Sequence, residues 1–240
     1  MAPRTLPPAR AARTPAAARR REARTLERRT AILSAALKQF SVDGIAGTSI
    51  ERIAEAADLS KTNVFYYFAS KEEIYQTILH DLLALWLEPF RAITAEGDPF
   101  ALLGDYIAQK LVFSRDHPEA SRLFCLEMVR GAPHLGAVLA RELEPLMAEK
   151  AAILRGWAAE GRIAPVDPHH LFFSIWATTQ HYADFSAQVR ATTGQGLDDP
   201  AFLAATTAEV QAILLRGLRP SGERTGMTYV PGAAPSKSAA

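Results

Sequence analysis

Apolar residues recur every three to four positions along most of the chain, and no long stretch alternates with a period of two. The pattern therefore predicts an all-α protein of about nine helices. The first spans about 27–43, with Ile32, Leu33, Ala36, Leu37 and Phe40 as its apolar stripe and Gly44 as its stop. A long helix over about 71–95 turns Ile74, Ile78, Leu82, Leu85 and Trp86 inward, and Pro89 is expected to kink it. Asp98-Pro99, Asp167-Pro168 and Asp199-Pro200 each pair a favoured N-cap with a residue suited to the first helical turn. They open helices over about 99–115, 168–190 and 200–218. Between them lie helices over 118–129, closed by Gly131-Ala132-Pro133, and 135–160, with a kink at Pro145 and a stop at Gly161.

The shortest predicted helices have the most specific punctuation. Thr48, followed three residues later by Glu51, forms a capping box, and Ile50, Ile53, Ala54 and Ala57 share one face behind it. The pattern stops at Asp58-Leu59, Ser60 caps a second helix over 61–68, and Ser70 with Glu73 opens the next. Two short helices across a three- to four-residue turn make a helix-turn-helix, whose second helix can enter a DNA major groove. The outward positions of that helix are Lys61, Thr62, Asn63, Tyr66 and Tyr67, all capable of hydrogen bonding.

Composition adds an asymmetry. Residues 1–30 hold nine Arg and two Glu, a balance of +7, so the remainder carries −6 of the total +1. A basic arm on an acidic body suggests a polyanion partner at that end. Residues 1–26 lack apolar periodicity and are expected to be disordered. Arg19, Arg20, Arg21 and Arg24 read equally as a solubilising tail or as an arm on phosphates. The segment 219–240, rich in Pro, Gly, Ser and Ala, is expected to be a mobile tail. Between the two lie a DNA-binding domain, 27–75, and a larger helical domain, 76–218. The single cysteine, Cys125, excludes an internal disulfide, fits the reducing cytoplasm and reads as a small buried hydrophobe. No apolar run is long enough to span a membrane, and the Arg-rich start has no signal-peptide core behind it. The six histidines are scattered, and no metal-ligand pair, phosphate loop or nucleophile elbow is visible, so neither a cofactor nor an enzyme is expected.

SIERIAEAADLSKTNVFYYFASKEEIY, within residues 28–75, resembles the DNA-binding signature of the TetR family of one-component repressors. The resemblance implies phosphate contacts from Thr48, Tyr67 and Lys71 and base-edge contacts from Lys61, Thr62 and Asn63. The family often has tyrosine where this chain has Phe65, so a common phosphate contact is missing or moved to Tyr66. YIAQKLVFSRDHPEASRLFCLEM, RIAPVDPHHLFF and IWATTQHYADF are similar to the RutR-type regulators of pyrimidine utilisation within that family. That likeness implies a regulator, mainly a repressor, that leaves its operator on binding uracil or thymine. It carries over Trp86, Lys110, Ser114, Trp176 and Gln180 as effector contacts; Phe124 and Met128 are placed as pocket walls by their apolar character and not by the likeness.

The residue chemistry is compatible. Lys110 with Ser114, and Trp176 with Gln180, are i, i+4 pairs that share a helix face. An indole can stack on a flat heterocycle, and a carboxamide matches an imide edge. On spacing alone core packing is the better reading of each of these residues, with Lys110 otherwise a snorkelling lysine and Gln180 part of a subunit seam that His181, Tyr182 and Asp184 also suit. The last two helices carry wide apolar stripes and small residues (Ala177, Thr178, Ala204, Ala205, Ala208), which suits a four-helix seam of a homodimer. A two-fold dimer would set its recognition helices ~34 Å apart on a near-palindrome. Trp86 falls fifteen residues after Lys71, ~22 Å along one helix, a route from effector to head. The competing reading is an architectural DNA-binding protein without a ligand, which a polar-studded interior argues against.

Overall fold

The computed structural model describes residues 15–220. They form α1 (Pro15–Gly47), α2 (Ile50–Ala56), α3 (Lys61–Tyr67), α4 (Lys71–Arg91), α5 (Pro99–Asp116) and α6 (Pro118–Val129). There follow α7 (Gly136–Val138), a π-turn (Leu139–Leu143), α8 (Glu144–Ala159), α9 (Pro168–Asp184), α10 (Ser186–Thr193) and α11 (Pro200–Arg216). No strand occurs among the described residues. The expected disorder of 1–14 and 221–240 lies outside them.

The first unit comprises the described residues up to Leu83 together with Arg122–Leu135. Its α1 starts at Pro15, twelve residues before the predicted start, so 15–26 is helical and not disordered. Proline suits a first helical position, and the Ala and Arg that follow are strong helix formers. The helix breaks at Gly44, whose φ of 65° no β-carbon-bearing residue adopts easily. Ile32, Phe40, Ile53, Val64, Phe68, Ile74 and Tyr75 fill the core. Phe40 meets Tyr75 edge-on at 5.2 Å. Glu127 on α6 is buried and satisfied: it accepts from Tyr75 Oη at 3.0 Å and from the backbone N–H groups of His134 at 2.6 Å and Leu135 at 3.2 Å. Cys125, expected to be fully buried, is only half-buried.

The second unit comprises Ala84–Ser121 and the described residues from Gly136 onward. There α5 packs on α9 and α11, and α8 on α9. Asp98, Asp167 and Asp199 cap their helices as predicted, accepting for example from Ala101 N at 2.7 Å and Ala201 N at 2.8 Å. Two predicted helices are interrupted. The helix over 135–160 passes through a π-turn directly before Pro145, whose missing N–H disturbs the ladder there. The helix over 168–190 breaks at Phe185. The helix over 71–95 runs through Pro89 and ends at Arg91, and Leu85, expected inward, is 47% exposed. The end of α4 is closed from a distance. Buried Lys150 donates to Arg91 O at 3.1 Å and Ile93 O at 2.8 Å, matching a cation to orphan C-terminal carbonyls.

Candidate nucleic-acid interface and effector site

In the first unit, Ser60 caps α3 by accepting from Asn63 N at 3.2 Å. Val64 and Phe68 anchor the helix in the core, which leaves Lys61, Thr62, Asn63, Phe65 and Tyr66 exposed and Tyr67 half-exposed. The side chains that sequence placed outward on α3 thus form one surface. Tyr66 meets Tyr67 edge-on at 5.0 Å. Lys61 Nζ is held 2.5 Å from Glu51 Oε1, and that contact lowers the Glu51 carboxyl below its ordinary range. A nucleic-acid acceptor must displace Glu51 to take this ammonium.

Two expectations are corrected at the start of α2. Its N-cap is Ser49, which accepts from Arg52 N at 3.2 Å, and not Thr48. Thr48 is buried and donates its hydroxyl to Gly44 O at 2.9 Å, so that group is turned away from a phosphate. Lys71 Nζ donates to Thr48 O at 2.8 Å from a half-buried position, tying the start of α4 to the start of α2.

Sequence reasoning missed Arg28 and Arg29. Arg29 donates to Tyr67 O at 2.8 Å and lies 4.2 Å over the Phe68 ring, which fixes α1 against the C-terminus of α3. Arg28 lines a cleft of about 740 Å³ with Ser60, Asn63, Tyr66 and Tyr67. The available signal was the charge run itself, whose last members fall at the start of the predicted helix over 27–43.

In the second unit, Trp86, Lys110, Ser114, Trp176 and Gln180 come from α4, α5 and α9. Lys110 is 4% exposed, with Nζ 4.4 Å from the centre of the Trp86 ring and 6.0 Å from that of Phe113. Burial pushes its pKa down from 10.5 to about 8, against the opposing pull of Asp184. Among the described residues it makes no hydrogen bond or ion pair. Gln180 is half-buried, and its carboxamide likewise has no hydrogen bond among the described residues.

The other polar groups are already engaged. Ser114 Oγ donates to Thr179 O at 2.9 Å, joining α5 to α9 beside Gln180. Trp176 Nε1 donates to Tyr106 Oη at 2.6 Å, and its ring packs in a cluster with Phe90 and Phe172. The Trp176 ring is therefore fixed in place, and Tyr106, which sequence did not single out, orients it. Phe124 and Met128, expected as pocket walls, are half-buried on the part of α6 that groups with the first unit. The described residues contain no cluster of metal-ligating groups and no helix long and apolar enough to cross a membrane.

Comparison with known proteins places both units. Residues 32–78 match the family described as bacterial regulatory proteins, tetR family, and residues 79–221 match the C-terminal region of YcdC-like protein. The chain is 50% identical over 193 residues to the HTH-type transcriptional regulator RutR of Escherichia coli K12, covering 80% of this chain and 91% of that one. Among solved structures, SCO4942 from Streptomyces coelicolor matches with TM-score 0.63 and 25% identity, over 80% of this chain and 99% of that chain. The ketosteroid transcriptional regulator KstR2 of Mycobacterium tuberculosis matches with TM-score 0.62 and 19% identity, over 81% and 96%, a likeness of fold.

Proposed function

This chain belongs to the TetR family of transcriptional regulators, and from that membership we propose that it is a repressor of pyrimidine-utilisation genes that uracil or thymine releases from a near-palindromic operator. TetR regulators bind DNA and act as dimers. In this reading α3 faces base edges with Lys61, Thr62 and Asn63, while Tyr66, Tyr67 and Lys71 meet phosphates. The dimer forms through α9 and α11. Phe173 on α9 and Phe185 at its C-terminal cap are about half exposed and Ile213 on α11 is 71% exposed, an apolar surface that a second copy would cover.

The observation that carries the effector reading is Lys110. The ammonium lies against the Trp86 ring with no hydrogen bond among the described residues, and Asp184 attracts it only through space, so an acceptor from outside the fold would offset the cost of its burial. A uracil carbonyl is such an acceptor, and the Gln180 carboxamide matches the donor-acceptor edge of the same ring. For release, the effector must bind an arrangement that does not fit the operator better than one that does. By linkage DNA then weakens the effector by the same factor. The experiment is calorimetric titration with uracil, thymine and adenine, followed by operator release at the same concentrations. Saturable binding of a pyrimidine, with release in the same range, supports the reading. Binding of none, or of adenine alone, overturns it.

A further inference from the structure

We propose that the N-terminal stretch of α1 is a second, sequence-independent DNA-binding surface, on which Arg20, Arg21, Arg24 and Arg28 seat successive phosphates of the duplex that α3 engages. The inference rests on the reading of α3 as the recognition helix and extends the interface beyond it.

Arg20, Arg21, Arg24 and Arg28 are all exposed along the same helix. At ~100° per residue these four fall within an arc of roughly 100°, and Glu22 and Glu27 lie at or beyond its margins. The stripe is ~12 Å long at 1.5 Å per residue. Duplex DNA presents one charge per ~3.4 Å along each strand, so the stripe faces several phosphates at once. None of the four guanidinium groups is engaged by a carboxylate among the described residues, whereas Lys61 on α3 is held by Glu51. A row of arginines that the protein leaves unneutralised on a rigid helix is matched to an external polyanion.

The choice of DNA comes from continuity. Arg28, the last member of the row, lines the same cleft of about 740 Å³ as Asn63, Tyr66 and Tyr67. The next residue, Arg29, locks α1 to α3 through Tyr67 O at 2.8 Å and the Phe68 ring. The row thus starts on the DNA-facing surface and continues from it in a fixed direction. Thr25, ~100° round the helix from Arg24, turns its hydroxyl back to Arg21 O at 3.0 Å and so takes no guanidinium.

The test replaces Arg20, Arg21 and Arg24 together by Gln, keeping Arg28, and compares a Lys triple variant and the wild type. Binding to a mixed-sequence 30-base-pair duplex is followed by fluorescence anisotropy between 50 and 200 mM NaCl, with helicity checked by circular dichroism. Each lost phosphate contact flattens the plot of log K against log salt by ~0.9, so the Gln variant should be shallower by ~2.7 per protomer. It should bind at least tenfold more weakly at the low-salt end, and the Lys variant should keep the wild-type slope. An unchanged slope in the Gln variant, or a loss confined to one duplex sequence, overturns the proposal and leaves α3 untouched. If the wild type binds no duplex at any salt, the recognition-helix reading fails and takes this inference with it.

Discussion

Replacing Lys110 by Met tests the effector site through folding stability alone. Burial lowers the Lys110 pKa from 10.5 to about 8. At ~1.36 kcal/mol per pH unit the charged form is disfavoured by about 3 kcal/mol in the folded protein. The shape-conserving Met variant, which carries no charge, should therefore be more stable at pH 7 by up to ~3 kcal/mol. For a protein of this size the melting temperature should rise by up to ~6–12 °C. The pH dependence has a definite sign. Below pH 8 both folded and unfolded states hold the proton, and the folded state bears the full cost. Between about 8 and 10.5 the folded state releases a proton that the unfolded state keeps, so wild-type stability climbs relative to the variant. Above 10.5 the gap should vanish. Urea unfolding of both proteins at pH 7 and pH 10.5 reads this directly, because all other titrating groups are common to the pair. The variant should also lose the pyrimidine response. A Met variant less stable than wild type at pH 7, or a gap that persists at pH 10.5, would refute the argument that this lysine is held for a ligand at a cost to the fold.

Gln180→Leu should weaken uracil or thymine roughly ten- to a hundredfold by calorimetry while leaving effector-free operator affinity unchanged; loss of DNA binding would place Gln180 in the seam or core instead. Lys71→Ala should weaken every duplex alike and flatten the salt slope by about 0.9 per protomer, and a change in base preference would remove Lys71 from the phosphate contacts. Lys150→Met should strand the Arg91 and Ile93 carbonyls and cost ~2–3 kcal/mol in urea unfolding. An equally stable variant would show that those carbonyls have other partners.

Helix starts were legible where local chemistry decides the structure. Ser60 and the three Asp-Pro pairs each fix a helix start by a hydroxyl or carboxylate two to three residues from the N–H it accepts, a relation visible in sequence. Thr48 and Ser49 show the limit of that logic. Both are hydroxyl residues, and Glu51 three positions after Thr48 completes a capping-box pattern. The break at Gly44 turned Thr48 inward, and the cap passed to its neighbour. The early start of α1 was missed for a different reason. Residues 19–26 are exposed apart from half-buried Thr25, and a helix so exposed needs no apolar stripe, so the absence of periodicity there said nothing against it. Only the intrinsic propensity of Ala and Arg recorded it.

The effector residues divide along a line that sequence cannot draw. Spacing placed Lys110 with Ser114 and Trp176 with Gln180 on shared faces, and both pairs lie on the α5 and α9 helices that pack together. Whether a polar group is spent within the protein depends on partners far along the chain. The Ser114 hydroxyl is taken by a carbonyl 65 residues away, and the Trp176 N–H by a tyrosine 70 residues away. Each of those bonds fixes a helix or a ring and leaves less for a ligand. Lys110 and Gln180 have no such bond among the described residues. Burial of a polar group without a partner costs folding free energy, so positions that keep one are explained by a partner that comes from outside the fold. That cost falls on Lys110, which is buried, more than on Gln180, which is half-buried, and in the function proposed above these two would read the ligand while Tyr106 sets the Trp176 indole in place.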